Sequence, residues 1–138
     1  MRFDHDASTM QAARSHLGRV LLGRFRVDGL RAAGTACAVY DAWDVQAAQP
    51  AAVTVFQEPF AQRAFAAADA LHRVREPGVV RPVSVGRIVG GVAVAWHRPR
   101  GTSLEALLAE SGTDYRAYDA DPRALVYLSV QFARALKL

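Results

Sequence analysis

The stretch from Leu30 to Phe56, LRAAGTACAVYDAWDVQAAQPAAVTVF, constrains this chain more than any other. Two short runs rich in β-branched and apolar residues flank a loop, and a third run alternates with period two. That pattern predicts three consecutive antiparallel strands, because alternation puts every second side chain on one face of a sheet. Two further strands are expected from about Pro82 to Ile88 and from Val92 to Trp96. Val89, Gly90 and Gly91 join them with the glycine pair that a tight hairpin turn favours.

Helical spacing appears outside these runs. Ser8 with Gln11 makes a capping-box start, and Met10, Ala13, Leu17 and Leu21 recur at helical intervals, which predicts a short amphipathic helix leading into Gly23. Phe60, Ala64, Ala67, Leu71 and Val74 step by four and three and make one apolar stripe on a helix from about Phe60 to Arg75. A last helix starts with Asp121 as cap and Pro122 in its first turn, then runs its stripe through Leu125, Leu128, Phe132 and Leu136. It reaches Leu138 with no cap and no break in period, which raises the expectation of a fragment of a larger protein.

The ordered series GRF, VYDAWD, AAVTVF, EPGVVRPVSVG and RGTSLEALL resembles the N-lobe of bacterial serine/threonine protein kinases. The likeness covers roughly Leu22 to Leu136. If Val39 and Tyr40 stand for the valine and aromatic after the kinase glycine loop, the three loop glycines fall on Ala32, Gly34 and Cys37, and only Gly34 is a glycine. Ala51, Ala52, Val53 and Thr54 fill the VAIK motif. Thr54 then stands where a lysine would hold the nucleotide phosphates. The only lysine in the chain is Lys137, so no shift of register supplies that charge. Counting back from Glu76, Pro77, Gly78, Val79 and Val80 places the C-helix glutamate position on Ala67. Asp69 lies two residues along, on a different helix face. Loss of both halves of the Lys/Glu pair is coherent, since one buried charge left alone costs about 3–5 kcal/mol.

What this resemblance implies is an α+β fold: a kinase N-lobe-like five-stranded antiparallel sheet with a C-helix, plus an N-terminal helix and C-terminal helices equivalent to the start of the C-lobe. The implied organisation is an arm and short helix over 1–22, the N-lobe-like domain over 23–102, and hinge-following helices over 103–138. Trp96 would sit near the gatekeeper position, where its bulk could close the adenine cleft. The degenerate nucleotide-cleft candidates are Gly34, Val39, Ala52, Thr54 and Trp96. No residue is expected to be catalytic and no cofactor is expected. The series is similar in character to the kinase-like domains of actinobacterial proteins that lack catalytic residues, including those of cell-envelope proteins such as the lipid II flippase. It implies a pseudokinase that binds partners, in some relatives FHA domains, and does not transfer phosphoryl groups.

Composition excludes several other classes. The formal charge of +4 and pI near 9.8 come almost wholly from arginine. The arginines are dispersed, from Arg2 and Arg14 through Arg63 to Arg87, and not clustered with stacking aromatics, so nucleic-acid binding is not expected. Cys37 is the single cysteine, which forbids an intramolecular disulfide and fits a reducing, cytoplasmic compartment. His5, His16, His72 and His97 lack metal-ligand spacing. No apolar run approaches the ~18 residues of a membrane span.

The expected function is therefore a non-catalytic interaction or scaffolding module. Its partner would be an FHA-type or cell-envelope regulatory protein, or a second copy through the last helix. The alternatives are a nucleotide or small-ligand sensor that uses backbone donors around Gly34 with Thr54, and an active enzyme that uses other residues. Thr102, Ser103, Ser111 and Thr113 fall in loop-forming sequence where a phosphate could add a docking charge.

Overall fold

The computed structural model describes residues 7–76 and 79–98. The chain divides into two compact units, and the first, Met1–Val74 with Arg81–Arg98, carries every described helix and strand. The expected hinge segment beyond Arg98, the helix from Asp121 and the four loop hydroxyls all lie outside the described residues.

The elements run α1 (Ala7–Arg14), β1 (Val20–Leu21), β2 (Phe25–Ala33), β3 (Cys37–Asp44), β4 (Gln49–Gln57), α2 (Ala61–His72), β5 (Ser84–Ile88) and β6 (Gly91–His97). The strands form one antiparallel sheet of order β1-β2-β3-β4-β6-β5. Only the step from β4 through α2 to β5 leaves the hairpin pattern, and β6 then returns between them.

Alternation assigns the two faces. Ala38, Tyr40, Ala42 and Asp44 of β3 are buried, and their neighbours along the strand are half-buried. Ala51, Val53 and Val55 of β4 continue the inner face, joined by Phe25 and Val27, with Ala13 of α1 laid over it. Tyr40 is fully buried, and its hydroxyl donates to the Ala13 carbonyl at 2.5 Å, fixing the helix to the sheet. On the opposite face α2 presses Ala61 and Ala68 against Val92 and Val94. With both of its faces covered, β6 is buried without interruption from Val92 to Ala95, as a central strand between two layers requires.

Two glycines mark close approaches. A Cβ on Gly91 would lie 2.0 Å from the Phe56 carbonyl oxygen, so only glycine fits where β6 meets β4. A Cβ on Gly86 would meet Leu22 Cδ2 at 2.6 Å. Leu22 follows β1 on one sheet edge and Gly86 belongs to β5 on the other, so the sheet curls about its inner face until its edges nearly meet.

The expected kinase N-lobe arrangement, a five-stranded sheet with a C-helix and an N-terminal helix reaching Gly23, is corrected by these elements. The described chain is a six-stranded antiparallel sheet, curled nearly into a barrel, with two short helices. The sixth strand comes from a segment whose leucine spacing reads as helix. Gly18 adopts φ +77°, which ends the helical path, and Leu22 (φ 54°) and Gly23 (φ 65°) turn the chain so that Val20 and Leu21 pair with Arg26 and Phe25. Leu21 is buried as an edge-strand residue and Leu17 is exposed, so the two do not share a helix face.

Candidate binding cleft

The five cleft candidates divide between two hollows and the band of sheet between them. Register sets Val39 opposite Thr54 and Thr54 opposite Val94, and sets Ala52 opposite Trp96. Val39, Ala52, Thr54 and Trp96 therefore share the outer face of the sheet. Gly34 lies beyond the end of β2, in the turn to β3.

Gly34 and Val39 line a hollow of about 580 Å³ with Ala32 and Cys37, so the three positions matched to loop glycines do converge. Its other wall is Met10 and Arg14 of α1. The Gly34 amide donates to the Cys37 carbonyl at 2.9 Å, so that donor is spent inside the turn. Burial raises the Cys37 thiol above its ordinary value, which disfavours the nucleophilic thiolate.

Trp96 lines a second hollow of about 410 Å³, bounded by Phe56 and Val94 from the sheet, by Phe60 just before α2, and by Ala64, Ala67 and Leu71 of α2. Among the described residues Arg63 is the one charged residue on its wall. The stripe from Phe60 to Leu71 thus faces this hollow together with Ala68, and Ala61 and Ala68 make the packed contact with the sheet. Phe60 keeps 43% of its surface exposed. Ala52 and Thr54 line neither hollow.

A polar cluster at one end of the sheet escaped sequence reasoning. Asp44 is fully buried and accepts from Arg24 Nε at 2.8 Å and Nη2 at 2.7 Å, from His97 Nε2 at 3.0 Å, and from the Gln46 and Ala47 amides at 3.0 and 3.1 Å. Those two amides belong to the turn from β3 to β4, so one carboxylate caps that turn and ties it to β2 and β6. With Nε2 as donor, His97 Nδ1 accepts from Gln49 Nε2 at 3.4 Å. The Arg24 hydrogen bonds, and then those of His97 and the two amides, hold the Asp44 carboxyl well below the usual carboxylate range. The available signal was positional: Ala38, Tyr40 and Ala42 point inward, so Asp44 must also, and a buried carboxylate needs partners.

Among the described residues no group of three or more His, Cys, Asp or Glu could hold a metal ion. No helix among them is long and apolar enough to cross a membrane. No protein-family model matches the chain, and no curated protein matches it.

Proposed function

We propose that the chain is a non-catalytic module that binds a protein partner, the role played by kinase-like domains that lack catalytic residues, and that it works in the cytoplasm. The observation that carries this reading is the hollow between α2 and the sheet. Phe56, Phe60 and Trp96 wall it, and alanines at 64 and 67 leave room for an incoming apolar side chain. Phosphates need donors and cations, and among the described residues this wall offers a single arginine; apolar anchors from a partner need a concave, water-excluding surface. The sensor alternative loses support because the Gly34 amide is already bonded and Thr54 faces neither hollow.

The test is a displayed library of short helical peptides panned on the immobilised chain and, in parallel, on its Ala67→Glu variant. Peptides with paired large apolar residues should be enriched on the wild type and lost on the variant, which sets a carboxylate in the apolar hollow, one helical turn from Arg63. No enrichment on the wild type, or equal enrichment on both, would overturn the reading. Thermal melting with millimolar ATP and magnesium should leave the midpoint unchanged, because a ligand raises it only by binding the folded state.

A further inference from the structure

On the inner side of the curled sheet, the end of α1, the β1 segment, the end of β4 and the β5–β6 turn enclose a hollow of about 680 Å³. Its apolar wall includes Leu22, Val55 and Ile88. Arg19 and Glu58 also line it. Among the described residues neither makes an ion pair, with each other or with any other side chain. The arginine–carboxylate contacts described on the sheet are made by other residues, so one cation and one anion line the same hollow without an ion pair.

His16 supplies the third observation. Its Nδ1 is buried without a hydrogen-bond partner, while its ring packs edge-on to Tyr40 at 5.8 Å and lines the same hollow. Burial, and then the Arg19 charge, hold the His16 imidazole below its ordinary value, so it is neutral at pH 7. Among the described residues the formal charges on the wall then cancel. A net anion would meet Glu58 and a net cation would meet Arg19, so a ligand carrying both charges is favoured over either.

We propose that this hollow binds a zwitterionic small molecule with an apolar side group, of which the apolar α-amino acids are the simplest. Arg19 takes the carboxylate, Glu58 takes the ammonium, and Leu22, Val55 and Ile88 receive the side group. The site lies on the opposite face of the sheet from the Trp96 hollow and goes beyond the partner-binding reading.

The experiment is thermal melting of the full chain with L-leucine, with isovalerate, which lacks the ammonium group, and with isopentylamine, which lacks the carboxylate. Leucine at about a hundredfold excess over its dissociation constant should raise the midpoint by about 5–10 °C. Each single-charge analogue should bind about two- to fivefold more weakly, the loss expected when one ion pair at an exposed site is removed. Arg19→Gln and Glu58→Gln should each weaken leucine similarly. Both residues are exposed, so the variants keep the fold, and their unliganded midpoints check it. No shift with leucine, valine or phenylalanine, equal binding of either analogue, or full binding by both variants would each overturn the proposal.

Discussion

Replacing Asp44 tests how the sheet is closed at one end. The carboxylate is fully buried and accepts five hydrogen bonds, three from side chains and two from backbone amides. Asp44→Ala strands the Arg24 guanidinium and frees both turn amides. Breaking a buried ion pair by removing one partner costs about 3–5 kcal/mol. Arg24 keeps 25% of its side chain exposed and can turn to water, so the lower edge applies. About 3 kcal/mol is expected, or a fall of about 10 °C in Tm for a domain of this size. Urea melts across pH separate this cause from simple loss of packing. The folded pKa of Asp44 is depressed, so its stabilisation is present above the unfolded carboxylate value near 3.8 and is lost as pH falls toward the folded value. Wild type and Asp44→Asn should therefore differ most above about pH 5 and begin to converge as the medium is acidified below the unfolded carboxylate value, with the difference still shrinking at about pH 2. A difference below about 0.5 kcal/mol, or one constant from pH 7 to pH 3, would refute the ion-pair account.

Gly91→Ala should destabilise the fold by about 2–4 kcal/mol in a urea melt, because the new methyl meets the Phe56 carbonyl, which is backbone and cannot swing aside; a neutral result would mean that β4 and β6 are less closely apposed. Gly86→Ala meets only the tip of Leu22, so it should cost about 1 kcal/mol alone and less in the Leu22→Ala background, a non-additivity that a double-mutant cycle reads directly. Tyr40→Phe should lose about 1 kcal/mol by removing the hydroxyl's bond to the Ala13 carbonyl, which keeps the His16 amide at 3.4 Å. Burial pushes the Tyr40 phenol up to about 12 from 10.0, so wild-type stability should fall as pH rises across that interval, and the fall should be shallower in Tyr40→Phe.

Much of the sheet was legible because its cues are local. Period-two alternation from Ala38 to Asp44, and the glycine pair between two apolar runs, need only neighbouring residues to be read. β1 was not legible because two residues are too few to show a period, and Leu21 stood at a helical distance from Leu17. What decides that segment is backbone: positive φ at Gly18, Leu22 and Gly23, of which the leucine gives no compositional hint. The α2 stripe was read correctly as apolar but could not be aimed from sequence alone. Alanines at 61 and 68 are small enough to bring the helix against β6, so contact is made there while the larger side chains Phe60 and Leu71 border a hollow. The cleft candidates rest on a resemblance, and register places four of them on one face without gathering them around one cavity.

The two faces of the sheet differ in what fills them. Inside the curl, Phe25, Tyr40 and Val53 are fully buried under α1, and the space that remains lies toward the β5–β6 turn, where Arg19, His16 and Glu58 make it polar. Outside, α2 covers β6, and its alanines leave an apolar hollow beside Trp96. Volume missing from an interior persists only where something compensates for the lost contacts, since close packing is otherwise favoured. Filling each hollow with a larger residue therefore distinguishes a slot kept for a ligand from a packing defect. Ala67→Leu and Val55→Phe would both stabilise a merely underfilled protein. If the hollows are kept for binding, the first substitution removes peptide capture and leaves leucine binding intact, and the second does the reverse.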